Sequence, residues 1–78
     1  VLVVDDEEDV RVTTRRILEA HGFVVSAAAD GRDAVDLFAP RPADFALVVL
    51  DLNMPQMSGL EAFRELRRAS ADVRVILT

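Results

Sequence analysis

The sequence predicts an α/β protein built on a mainly parallel sheet, and three observations carry that prediction. Short β-branched runs alternate with longer segments of helical spacing, in the order β-α-β-α-β-α-β. The strand-like runs are apolar on consecutive residues, as in a sheet covered on both faces. The chain breakers fall between these elements: Gly22, Asp30-Gly31, Pro40, and the Asn53, Pro55 and Gly59 of one irregular stretch.

Val1–Val4 reads as the first strand and runs straight into Asp5-Asp6. In the segment that follows, Val10, Thr14, Ile17, Leu18 and His21 share one helical face, and Gly22 is the expected stop. Phe23–Ala28 is the second strand. Asp30-Gly31 opens a shorter helix with Ala34, Leu37 and Phe38 on its apolar stripe, ended before Pro40. The loop "APRPADF" leads to a third strand, Phe45–Leu50. Ser58 is the expected N-cap of a third helix, with Glu61 three residues on in the capping-box position and Leu60, Phe63 and Leu66 on its stripe. Val73–Leu77 is the fourth strand. Both termini lie inside apolar runs and read as cuts.

Composition excludes several functions. With 78 residues there is room for one domain with a modest core. A net charge of −5 and the absence of a basic stripe argue against nucleic-acid binding through this segment. No cysteine is present, which removes disulfides and thiolate metal sites. The apolar runs are far too short to span a membrane, and no signal peptide is visible, so no membrane contact and a cytoplasmic location are expected. All nine basic residues are arginines.

In a parallel α/β sheet every strand delivers its C-terminal end to the same edge, and ligands bind outside those ends. Strand one ends in Asp5-Asp6, strand three in Asp51 and strand four in Thr78. Three carboxylates brought to one edge repel, and a hard divalent cation relieves the repulsion. Mg2+ suits such a set because it takes few protein oxygens and keeps open positions for a phosphoryl oxygen. No histidine or cysteine candidate stands near, so zinc is disfavoured. A carboxylate beside Mg2+ can act as a nucleophile toward phosphorus. Met54 and Met57 read as residues that pack or sit on the loop rather than bind a ligand, Pro55 and Gly59 as conformational ones, His21 as a helix-end residue, and Glu7, Glu8 and Asp9 as dipole partners at a helix start. The Arg15, Arg16, Arg67 and Arg68 pairs read as solvated helix faces.

Three stretches together, "VLVVDDEEDVR", "DLNMPQMSGLE" and the final "ILT", resemble the receiver domain of two-component response regulators, and the resemblance runs through the whole chain. It implies a flavodoxin-like three-layer αβα fold with strand order 2-1-3-4, the chain being a receiver domain (1–78) truncated before a fifth strand and the last helices. It implies Asp51 as phosphoacceptor, Asp6 as a direct Mg2+ ligand with Asp51, Asp5 as a ligand mainly through water, and a backbone carbonyl of Asn53 as a further ligand. Thr78 is implied to bond a phosphoryl oxygen and act in the switch. The implied partner is a sensor histidine kinase or phosphotransfer domain that donates from phosphohistidine. A lysine at the end of the missing fifth strand is also part of the pattern, and this chain has none. Self-association through the uncovered fourth strand is expected.

Other classes fit less well. A haloacid-dehalogenase-like phosphatase also uses a strand-end aspartate with Mg2+, but wants a second aspartate where Asn53 stands. An EF-hand fails at Pro55 and Gln56, where an oxygen ligand and a glycine belong. A non-phosphorylated interaction domain, or an inert fragment, is the remaining alternative.

Overall fold

The computed structural model describes residues 1–78. The elements follow the expected alternation: β1 (Leu2–Val4), α1 (Glu8–Ala20), β2 (Ser26–Ala28), α2 (Gly31–Phe38), β3 (Val48–Leu50), α3 (Gly59–Ala69) and β4 (Val75–Leu77). A short 3-10 turn over Pro42–Asp44, led by a proline that fixes φ, lies between α2 and β3. The four strands are all parallel in the order β2-β1-β3-β4, the flavodoxin-like arrangement. The middle row runs Ala27, Val3, Val49, Ile76 across the sheet.

The core lies on one side of that sheet. Leu2, Val4, Val48 and Leu50 point with strand alternation toward α2 and α3, where Ala34, Val35, Phe38, Ala62 and Leu66 meet them. Alanines at Ala34 and Ala62 keep bulk low between α2 and α3, which pack on each other. Phe38 fills the largest space and stacks at a tilt on Phe45, 5.8 Å between ring centroids. Each of these helices starts on a side-chain cap. Asp30 accepts from the Asp33 N–H at 2.8 Å, and Ser58 accepts from the Glu61 N–H at 3.2 Å. The Glu61 carboxylate returns to the Ser58 hydroxyl rather than to its N–H, so only half of the expected capping box forms.

The opposite face carries only α1, which rests on β1 and β2. Burial therefore falls along the middle row: Val3 is buried, Val49 half-buried and Ile76 exposed. No residue of α1 is buried: of the face read from its spacing, Thr14 and Leu18 are half-buried, while Val10, Ile17 and His21 are exposed. The stripes on α2 and α3 are also rotated, with Leu37 and Leu60 exposed while Val35 and Ala62 are buried.

The strands are shorter than their apolar runs. Phe23 belongs to the end of α1, donating its N–H to Leu18 O, and Val24 is 88 % exposed. Val73 turns back to Ser70 O before β4 begins. Gly22, at φ 89°, ends α1 where only glycine adopts a left-handed backbone cheaply. His21 binds the Ile17 carbonyl through Nδ1 at 2.9 Å, a helix-end role as expected. Among the arginines, Arg15 pairs with Glu19 and Arg68 with Glu65 on exposed faces, while Arg67 lies 5.7 Å above the Phe63 ring.

Candidate functional site

The site follows from the strand register. Val4 is paired with Leu50, so the residues that follow them, Asp5 and Asp51, leave the sheet side by side. Two backbone bonds hold those departures: the Asp51 N–H donates to Val4 O at 3.0 Å, and the Asp5 N–H donates to Ala28 O at 3.2 Å. The preceding residues are fully or nearly fully buried, so the packed core fixes where the two carboxylates emerge. Asp5 and Asp51 are half-buried and Asp6 is exposed.

Asp5, Asp6 and Asp51 each offer a carboxylate oxygen within 4.8 Å of the others. Two of these carboxylates are anchored locally. Asp5 Oδ1 accepts from the Glu7 N–H at 2.9 Å, and Asp51 Oδ1 accepts from the Asn53 N–H at 2.9 Å. Each bond spans two residues, as in an Asx turn, and fixes the rotation of the side chain. The second oxygen of each, and both oxygens of Asp6, accept no hydrogen bond from the protein. Arg11 adds a support that sequence reading missed: its Nη1 donates to the Asp5 backbone carbonyl at 2.8 Å. The signal for it is only visible with hindsight, as a basic residue one helical turn past the acidic run.

Thr78 brackets Asp51. Its N–H donates to Leu50 O at 2.9 Å, and its carbonyl accepts from the Leu52 N–H at 3.4 Å. Asn53 is exposed and bound to the site through its N–H. Met54 turns inward and joins the core, which pins the loop after Asp51. The all-oxygen donor set, free of imidazole and thiolate, fits a hard cation such as Mg2+.

The fold and this edge define a class: a doubly wound parallel α/β domain with an acidic pocket at the C-terminal ends of its strands. The sequence matches the response regulator receiver domain over residues 1–78, and the chain belongs to that family. It is similar to the response regulator MprA of Mycolicibacterium vanbaalenii, 44% identical over 77 residues, covering 99% of this chain and 32% of that protein. The chain thus spans about a third of the length of the curated relatives it matches. Among solved structures, response regulator protein TrrA from Thermotoga maritima in complex with Mg(2+)-BeF superposes with a TM-score of 0.90 at 37% identity, covering 97% of this chain and 64% of that one. TrrA in its complex with histidine kinase ThkA gives a TM-score of 0.86 at 37% identity, with the same shares covered.

Proposed function

We propose that this receiver domain accepts a phosphoryl group from a phosphohistidine onto Asp51, in a Mg2+-dependent reaction. The convergence of Asp5, Asp6 and Asp51 at the mouth of a buried strand pair carries the reading. The relative TrrA, solved with Mg(2+)-BeF and with a histidine kinase, supports it.

Asp5, Asp6 and Asp51, with the backbone carbonyl of Asn53, would hold the ion. Bound there, Mg2+ supplies neutralisation of charge on the phosphoryl oxygens. The chain's own residues do the rest. The Asn53 N–H on Oδ1 orients the Asp51 carboxylate and leaves its other oxygen free to attack phosphorus. An O–P bond forms, the N–P bond of the donor breaks, and the imidazole leaves with the electron pair. Thr78, on the neighbouring strand, offers a hydroxyl to a phosphoryl oxygen and so reports the modification along β4. The donor would be a sensor histidine kinase or a phosphotransfer domain, and the setting cytoplasmic.

Amide NMR shifts during a Mg2+ titration test the metal half of this reading. Shifts should concentrate at residues 5–7 and 51–53, and Asp6→Ala should weaken binding by about tenfold or more, since even groups that merely support a metal ligand are worth that much. Uptake of phosphoryl groups from a small-molecule donor should fall with the same variant. A titration that leaves these amides unmoved contradicts the reading.

A further inference from the structure

Residues 53–57, between β3 and α3, make no backbone–backbone hydrogen bond. Side chains tie this loop to the fold: Met54 is buried in the core, and Met57 is half-buried and packed against it. Met57 has a particular seat. A Cβ added at Gly31, the first residue of α2, would lie 2.8 Å from Met57 Sδ, 2.9 Å from its Cγ and 3.0 Å from its Cβ. The sulfur and Cγ can swing away by bond rotation, but Cβ moves only with the backbone. Gly31 is therefore fitted to the path of the loop and not only to a flexible side-chain tip. Its φ is not positive, so space is what glycine supplies there.

The path of the chain at Met57 reaches the acidic edge by two routes. Toward α3, Gly59 follows two residues on; a Cβ there would lie 2.5 Å from the Asp51 carbonyl oxygen, and the Gly59 N–H donates to Leu52 O at 3.1 Å. Toward β3, Pro55 with its fixed φ leads to Met54 and then to Asn53, whose N–H holds Asp51 Oδ1 at 2.9 Å.

We propose that Met57 is a positioning residue for the acidic edge: seated on Gly31, it clasps the Asp51 loop to the start of α2 and so fixes the Asn53 backbone beside the Asp51 carboxylate. The seat is itself held in place. The Asp30 side chain caps α2 by accepting from the Asp33 N–H at 2.8 Å, and α2 packs on α3. An unbranched thioether suits the seat, since it lies across a residue that has no side chain of its own. A methionine that merely filled space would change stability and leave the metal affinity of the folded chain alone. A clasp changes both, from a helix that supplies none of the three carboxylates. The consequence for Mg2+ rests on the metal reading above; the clasp does not.

Amide NMR of wild type, Gly31→Ala, Met57→Ala and the double variant tests it, with and without Mg2+. Each single substitution should weaken Mg2+ binding to the folded chain by about fivefold. The double variant should stay near Met57→Ala, because an unclasped loop yields to the added Cβ. Without metal, the order parameters of the loop amides should fall in Met57→Ala from about 0.85 to below about 0.6. Should Gly31→Ala fail to fold, Met57→Ala carries both readouts. Losses that simply add in the double variant, a folded Gly31→Ala chain of wild-type affinity, or order parameters indifferent to Met57→Ala overturn the clasp. Asp6→Ala separates this from failure of the metal reading: if affinity survives Asp6→Ala, the metal reading falls, and the metal-free order parameters alone decide the clasp.

Discussion

A Cβ added at Gly59 would lie 2.5 Å from both the carbonyl oxygen of Asp51 and the Cα of Leu52. The first turn of α3 therefore presses directly on the backbone that carries the phosphoacceptor candidate, and the Gly59 N–H donates to Leu52 O at 3.1 Å. Its φ is not in the left-handed region, so the position needs glycine for space rather than for backbone freedom. Gly59→Ala should destabilise the fold by about 1–3 kcal/mol in urea denaturation, the usual cost of forced overpacking, and should slow phosphorylation of the folded fraction because Asp51 must shift. Unchanged values for both would show that the α3 start gives way freely. Asp5, Asp6 and Asp51 were legible as residues because each ends an apolar run. The reason for Gly59 was not legible, since it is a contact between segments and leaves no local pattern; nor was the Arg11 bond to the Asp5 carbonyl, for the same reason.

Helices α2 and α3 start on side-chain caps, whereas α1 starts at Glu7 with none. Asp30→Ala and Ser58→Ala should each cost about 1 kcal/mol of stability, while Glu7→Ala should stay within about 0.5 kcal/mol. Equal costs at all three positions in urea denaturation would contradict the cap assignments. Both working caps could be read from sequence because a cap is local: Asp30 and Ser58 each stand directly before their helix. The fate of an apolar stripe is not local. The α1 stripe has good periodicity, yet Ile17 is 55 % exposed, because burial requires a neighbour on that face and the sheet there carries one helix. Strand ends were overestimated for a related reason. β-branched residues such as Val24 and Val73 favour extension, but Val73 spends its N–H on the turn to Ser70 O and Val24 lies next to the turn that ends α1, so neither joins the ladder.

Parallel topology is what makes a site out of distant residues. Asp5 and Asp51 are far apart in sequence, and they become neighbours because β1 and β3 run the same way in register. The order β2-β1-β3-β4 was available only through the resemblance, since alternating elements specify a parallel sheet without specifying which strands adjoin. Within residues 1–78 the main core lies on the α2/α3 side of the sheet, and Met54 ties the Asp51 loop to it. A chain of this length has a total stability of about 4–12 kcal/mol, so the precision of the edge depends on a small number of packed residues such as Leu2, Leu50 and Phe38. The central claim is that this edge makes Asp51 the phosphoacceptor. Peptide mapping by mass spectrometry after incubation with a small-molecule phosphodonor and Mg2+ tests it most directly. The account predicts a single hydroxylamine-labile phosphoryl group at Asp51, lost on chelation of Mg2+ and absent in Asp51→Asn; undiminished label in Asp51→Asn would contradict it.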